Sequence, residues 1–175
     1  MAMEYAANGI LKGIFDEGSF TELDKLMENC EVVTGYGSIS GCPCYAFVQN
    51  VEINGGAMGE KQAAKLVRLY ELAEKTGCPI IGVYDSNGGH IDEGLGAMQS
   101  YSKLIAKADR LSGVIPQIAV IKGACGASSA IWALCADVVI AAKDAKLFLD
   151  KSGKDSNVTE NGNAQIIAEN LDEAI

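Results

Sequence analysis

The chain has 175 residues, 49% of them hydrophobic and 21% charged, with a formal net charge of -9. That size and balance describe one globular domain able to bury a sizeable core rather than a disordered segment. The acidic balance argues against nucleic acid as a partner, because neutralising phosphates needs clustered Lys and Arg.

In chain order, "GIFDEGSFTELDKLMENC" sets Ser19 and Glu22 at S-x-x-E spacing, with Leu23, Leu26 and Met27 behind at helical intervals. This predicts a capping box that opens an amphipathic helix. "VVTGYGSISGCPCYAFVQNVEI" alternates apolar runs with glycine-rich breaks, as successive strands joined by tight turns, and Tyr45 to Ile53 reads as the stronger strand. "GEKQAAKLVRLYELAEKTG" places Ala63, Leu66, Leu69, Tyr70 and Ala73 on one helix face, with Gly77 as the stop.

"CPIIGVYD" is a short apolar run of the kind covered on both faces of a sheet. A second helix is expected from about Glu93 to Asp109. The strand "QIAVIK", a glycine-rich turn, a short apolar helix and the strands "DVVIAA" and "AKLFLD" follow. Strand, crossover helix and strand in repetition predict an α/β fold with a largely parallel sheet. Residues 1–149 form the main unit in this reading, 150–163 a polar loop or linker, and 164–175 a C-terminal amphipathic segment that docks as a helix.

No apolar run approaches the ~20 residues of a membrane span, and the first residues lack a signal-peptide core. A cytoplasmic protein is therefore expected. Cys30, Cys42, Cys44, Cys78, Cys125 and Cys135 follow no framework spacing and read as reduced core residues. No second Cys or His cluster completes a metal site with Cys42 and Cys44, so no metal is expected.

Two turns carry the candidate chemistry: "SNGGH", Ser86 to His90, and "GACGASSA", which includes Cys125 to Ser129. Each follows an apolar strand and precedes a helix, so both belong at the carboxyl ends of parallel strands, where ligands bind. Small residues let a ligand approach backbone N–H groups, and a helix start presents unpaired donors. Two such turns side by side can aim two amides at one oxygen, which suits an enolate or a tetrahedral oxyanion. They can equally be plain strand-to-helix turns, with glycine there for backbone geometry. Neither turn is followed by G-K-[ST], which argues against a nucleotide P-loop.

"FDEGSFTELD", "EVVTGYGSISG", "KTGCPIIGVYDSNGGHIDEG", "SGVIPQIAVIKGACGASSA" and "ADVVIAAKDAKLFL" stand in an order and spacing that resemble one family. It is the N-terminal, CoA-binding domain of biotin-dependent acyl-CoA carboxyltransferases and decarboxylases, of the propionyl-CoA carboxylase β-subunit and glutaconyl-CoA or methylmalonyl-CoA decarboxylase α-subunit kind. The resemblance spans about 14–149. It implies the crotonase-like ββα spiral, and an acyl-CoA thioester bound with its oxygen against backbone amides. Carboxyl then passes between the α-carbon and biotin, with no metal and no tightly bound cofactor on this chain.

On that resemblance Gly88, Gly89, Ala127 and Ser128 are the oxyanion candidates. Ser86, Asn87, His90, Cys125 and Gly126 line the substrate side. The expected partners are acyl-CoA, a second carboxyltransferase subunit and a biotin carrier, in a homo- or hetero-oligomer.

The chain departs from the family pattern in three places. The family usually reads S-G-G-A-R at Ser86 to His90 and C-A-G-G-A at Cys125 to Ser129. It also carries a second, homologous biotin-binding domain for which no segment is left here. A scaffold or acyl-CoA-binding relative without turnover is thus an alternative function. So is a serine peptidase of the same fold, with Ser128 or Ser129 as nucleophile and His90, Lys122 or Lys143 as base. Trp132 and Tyr101 are expected in the core, and Glu93 is expected to favour its own helix start. Lys65, Arg68, Lys103, Lys107 and Arg110 are expected on solvated faces.

Overall fold

The structure, a computed structural model, describes residues 6–27, 30–149 and 157–175. Its elements run α1 (Ala6–Ile14), β1 (Thr21–Leu23), β2 (Val32–Ile39), β3 (Cys42–Gln49), α2 (Glu60–Thr76), β4 (Ile80–Ser86) and α3 (Leu95–Leu111). Then come β5 (Gln117–Gly126), α4 (Ser128–Ala133), β6 (Val138–Ala142), β7 (Lys146–Phe148), α5 (Val158–Asn161), β8 (Ile166–Ala168) and α6 (Leu171–Ala174). One sheet has the order β1-β2-β3-β4-β5-β6-β8, with β7 paired to the far end of β5. The first three strands are antiparallel and the rest parallel.

The parallel part follows from the two long crossover helices, and both sheet faces are covered as a consequence. Side chains alternate between two cores. Tyr45, Phe47, Ile80, Tyr84, Ala119 and Ile121 meet α2 and α3, whereas Cys44, Ala46, Val48, Val83 and Val120 meet α1 and the C-terminal segment. This period of two runs through central strands whose sequence is apolar without alternation. The α2 face drawn from Ala63, Leu66, Leu69, Tyr70 and Ala73 is buried throughout. Gly77 ends the helix at φ +69, its N–H on the Ala73 carbonyl.

Several expectations are corrected. Ser19 and Glu22 open no helix: Thr21–Leu23 pairs with β2 instead, and Leu26 is 98% exposed. The Ser19 hydroxyl bonds the Asp16 carbonyl (2.8 Å) and accepts the Ser38 amide (3.1 Å), so it serves the neighbouring hairpin. The strand placed at Tyr45 to Ile53 starts at Cys42 and stops at Gln49, where Asn50 turns the chain by donating to the Glu31 carbonyl (2.7 Å). α3 begins at Leu95, after a single 3-10 turn over Ile91–Glu93.

In the C-terminal segment, Ile166–Ala168 is a strand paired with β6, not a helix. Of the polar loop, 150–156 lie outside the described residues. Beyond them α5 packs Val158 into the larger core. Lys65 is not on a solvated face: it is buried, donates to the Val32 carbonyl (2.9 Å), and burial lowers its pKa. Arg68 pairs with Asp24 (2.9 Å) and Lys107 with Glu74 (2.7 Å), while Lys103 and Arg110 are exposed.

Candidate active site between two strand-ending turns

β4 and β5 are neighbours, and Ser86 stands in register with Cys125. The two glycine-containing turns therefore leave the sheet side by side at its carboxyl edge. Each is held differently.

The first turn is tied down by polar bonds. Ser86 is buried and its hydroxyl accepts the Gly88 amide (3.1 Å). Asn87 donates its backbone N–H to the Gly55 carbonyl (2.9 Å). Met58 and Gly89 form an isolated parallel bridge, in which the Met58 amide reaches the Gly88 carbonyl and the His90 amide reaches the Met58 carbonyl, both at 2.9 Å. Gly88 adopts φ +118, open to glycine and strained for other residues.

His90 Nε2 lies 3.2 Å from Glu31 Oε1. That buried carboxylate also accepts from Asn54 (2.6 Å) and Gln62, and Gln62 in turn caps α2 by accepting the Gly59 amide (3.0 Å). Burial works to raise the Glu31 pKa, but its hydrogen bonds and the nearby His90 together hold it below the ordinary carboxylate value. Glu93 supports a different helix from the one expected: its Oε2 accepts the Glu60 amide (2.8 Å) at the start of α2. A Cβ at Gly59 would meet the Glu93 carboxylate, which would have to shift to admit it.

Apolar packing holds the second turn. Gly126 lies under the Phe148 ring with no room for a Cβ. Ala127 follows at φ +51 and ψ −122, a backbone region that L side chains rarely adopt. Its N–H donates to the Phe148 carbonyl (2.8 Å), so β7 props this turn. Behind it, Trp132 of α4 stacks on Phe47 (5.0 Å between centroids), meets Tyr84 edge-on (4.8 Å), and donates Nε1–H to the Tyr70 hydroxyl (3.1 Å).

Between the turns lies a pocket of about 130 Å³, lined by Gly88, Gly89, Ala97, Met98, Tyr101, Gly126, Ala127 and Ser128. The four oxyanion candidates divide into two pairs here. The amides of Gly88 and Ala127 are engaged, on the Ser86 hydroxyl and the Phe148 carbonyl. Gly89 and Ser128 are left. In the Met58 bridge the bonds fall on the residues flanking Gly89, so its own N–H points away from Met58. Ser128 is the first residue of α4, ahead of the first helical bond from Ile131 to Ala127. One unpaired amide per turn thus borders one pocket.

Of the residues expected on the substrate side, Gly126 lines the pocket, while Ser86, Asn87, His90 and Cys125 stand behind it or outside it. Cys125 is fully buried, its thiol pushed up to about 12 by burial, and lies 3.6 Å from the Ser129 hydroxyl. None of the three candidate bases is on a serine: His90 is on Glu31, Lys122 on Asp85 (2.6 Å) and Lys143 on Glu169 (3.0 Å). This arrangement gives the peptidase reading no support. Among the described residues no group of three or more His, Cys, Asp or Glu gathers as a metal site, and no helix is long and apolar enough to cross a membrane.

Sequence reasoning passed over Glu31, Met58 and Phe148, which hold the turns in place. Glu31 had a detectable signal, as an acidic residue opening an apolar strand run; Met58 acts through backbone atoms and Phe148 through its carbonyl and its ring, and neither had one.

A largely parallel sheet wound with its crossover helices, with amides from two strand-ending turns on one pocket, is the crotonase-type carboxyltransferase fold. Transcarboxylase 12S with methylmalonyl-CoA and methylmalonic acid bound superposes with a TM-score of 0.87 at 32% identity, over 96% of this chain and 39% of that one. A chain of the Pseudomonas malonate decarboxylase hetero-dimer shares the fold at TM-score 0.85 and 23% identity, over 95% of this chain and 81% of that one.

In sequence, the alpha subunit of methylmalonyl-CoA decarboxylase from Veillonella parvula is 38% identical over 148 residues, 77% of this chain and 29% of that protein. The methylmalonyl-CoA carboxyltransferase 12S subunit of Propionibacterium freudenreichii subsp. shermanii is 34% identical over 160 residues, 82% of this chain and 30% of that protein. The carboxyl transferase domain matches residues 9–170, and the chain belongs to that family. It spans about three-tenths of the length of these curated relatives.

Proposed function

We propose that this chain binds an acyl-CoA and stabilises its enolate for carboxyl transfer to or from biotin, as the acyl-CoA half of a carboxyltransferase. The observation that carries the reading is the pair of unpaired amides, Gly89 and Ser128, bordering one pocket in a member of this family. With the thioester oxygen between them, breaking the bond from the α-carbon to its carboxyl moves the electron pair into the thioester. The oxygen then gains charge beside two amides that no other group engages. Each such donor contributes about 3 kcal/mol to the transition state. Biotin, carried by a partner, supplies or accepts the carboxyl group.

Ile91, Leu95 and Met98 are 93%, 75% and 65% exposed, an apolar group on the approach to α3 and its first turn, of which Met98 lines the pocket. It fits the face on which a second carboxyltransferase unit closes over the substrate. Assembly with that unit and with a biotin carrier completes the proposal.

Calorimetry with acetyl-, propionyl- and glutaconyl-CoA tests the binding. No heat and no thermal shift at millimolar ligand would overturn it. Turnover is read as decarboxylation of malonyl-CoA or glutaconyl-CoA with free biotin, with and without candidate partner subunits. For the amide itself, proline is tolerated at the first position of a helix, but the Ala127 Cβ would crowd it. The double variant Ala127→Gly, Ser128→Pro should therefore keep CoA affinity and lose about 100-fold in turnover. Acyl-CoA binding without turnover beside every partner would favour the scaffold alternative, consistent with the methyl group that Ala127 adds to this turn.

A further inference from the structure

Two buried carboxylates stand behind the turns, and they are neutralised differently. Asp85, at the end of β4, is 7% exposed and has the Lys122 ammonium at 2.6 Å. Glu31 is 3% exposed, and two of its side-chain partners, Asn54 and Gln62, are neutral amides. The third is the His90 imidazole at 3.2 Å. The hydrogen bonds that hold the Glu31 pKa down keep its carboxyl ionised. Whether this corner of the fold is neutral or carries a net negative charge therefore depends on a proton on one ring.

His90 is the residue after Gly89, whose amide is the donor of the first turn, and its own N–H is on the Met58 carbonyl (2.9 Å). Its ring stands outside the pocket lining. The charged groups around the pair do not replace that proton. Asp92 and Glu93 on the same 3-10 turn, and Glu60 at the head of α2, are all acidic. Lys65, after Gln62 on α2, is held on the Val32 carbonyl (2.9 Å), and burial works against its charge. An enolate places negative charge on the pocket side of the Gly89 amide. With the ring unprotonated, that charge forms near a second, uncompensated one in a poorly screened interior. With the proton in place, it forms near a neutral pair.

We infer that proton binding at His90 and charge formation at the Gly89 amide are coupled, with His90 a positioning residue that acts through Glu31 and touches no substrate. The inference rests on the acyl-CoA reading. It does not follow from that reading, since the two amides alone would accept an oxyanion at any pH.

The charge change of an imidazole ordinarily falls between pH 5 and 8. His90 is the only histidine of the chain, so one set of ring signals in an NMR spectrum reports it. The test titrates those signals in the intact chain saturated with acetyl-CoA and, separately, with carboxymethyl-CoA. The second ligand brings a carboxylate to the acyl position, and both carry the same CoA phosphates. Coupling is reciprocal, so His90 should titrate about 0.5 pH unit or more higher in the carboxymethyl-CoA complex, equivalent to ~3-fold in relative affinity across the titration. His90→Gln keeps an N–H donor for Glu31 but cannot carry the charge. At pH 6 this variant should bind acetyl-CoA within ~2-fold of the unaltered chain and carboxymethyl-CoA ~3-fold more weakly, whereas a purely structural role would change both alike. Titration at the same pH in both complexes, or acetyl-CoA bound and carboxymethyl-CoA refused at pH 6, overturns the inference and leaves the acyl-CoA reading standing. Binding of neither ligand overturns that reading, and the inference with it.

Discussion

The two turns border one pocket and are held in place by opposite means. The first, over residues 86–90, is held by a polar scaffold: the Ser86 hydroxyl, the Met58 bridge, and His90 on a Glu31 carboxylate that also takes Asn54 and Gln62. The second, over residues 125–129, is held by shape: Phe148 over Gly126, and Trp132 between Phe47 and Tyr84. The first turn stays unstrained because glycine occupies its positive-φ position, whereas the second forces alanine into one. A backbone amide can evidently be aimed either by satisfying every polar neighbour or by over-determining the chain with packing. The two solutions should fail under different conditions.

The largest effect is expected on the packed side. Trp132→Ala removes a fully buried indole and should cost about 4 kcal/mol, read as a fall in the urea midpoint. Fluorine labels on the two turns should show the second loosening before the first; simultaneous loosening would mean that the turns are not separately held.

On the polar side, Glu31→Ala leaves Gln62, Asn54 and His90 without their shared acceptor and should cost about 3 kcal/mol. This contribution depends on pH. The folded carboxyl lies below its ordinary value, so its stabilisation is complete above the unfolded pKa of about 4.3 and is lost as pH falls through the folded value. Urea midpoints measured from pH 6 down to pH 3 should therefore fall less steeply in Glu31→Gln than in the unaltered chain. An unchanged slope would remove Glu31 from the account.

A smaller effect of opposite sign is expected at Ala127. Replacing it by glycine relieves a positive φ at some cost in chain entropy, for a net gain of about 1 kcal/mol. A loss would show that the methyl group packs better than its strained backbone suggests.

The smallest effect belongs to Tyr101, where α3 meets both turns. Its hydroxyl is buried and completes no hydrogen bond, although the Ser86 and Ser129 hydroxyls lie close by; burial pushes its pKa up to about 12. Tyr101→Phe removes an unsatisfied group and should be neutral or stabilising by up to about 1 kcal/mol. Clear destabilisation would mean that the hydroxyl has a partner, and would make the polar scaffold larger than drawn.

Much of this molecule could be read from local pattern. Small-residue runs at strand ends placed both turns, and in the first the positive φ falls on a glycine, Gly88, as a local property of the chain at that point. The i, i+3, i+4 spacing in 60–76 placed α2 and its buried face, and Gly77 ended it. The order of apolar runs and crossover helices gave a parallel sheet. The misreadings have the same origin: S-x-x-E at Ser19 looks like a cap, and Ile166 to Ala168 looks like the start of the amphipathic segment's helix, until a neighbouring strand offers a ladder. Backbone pairing with β2 and β6 outweighs a local helical preference of a few tenths of a kcal/mol per residue.

Which amides are left unpaired beside the pocket was decided only in three dimensions. Nothing around Ala127 in the sequence says that its N–H belongs to Phe148, or that Glu93 will cap a helix that starts 33 residues earlier. A residue's own conformation is set by its own sterics and those of its neighbours, so the sequence alone determined the turns. A donor is free or taken according to which distant carbonyl the fold brings beside it, so only the tertiary structure singled out Gly89 and Ser128.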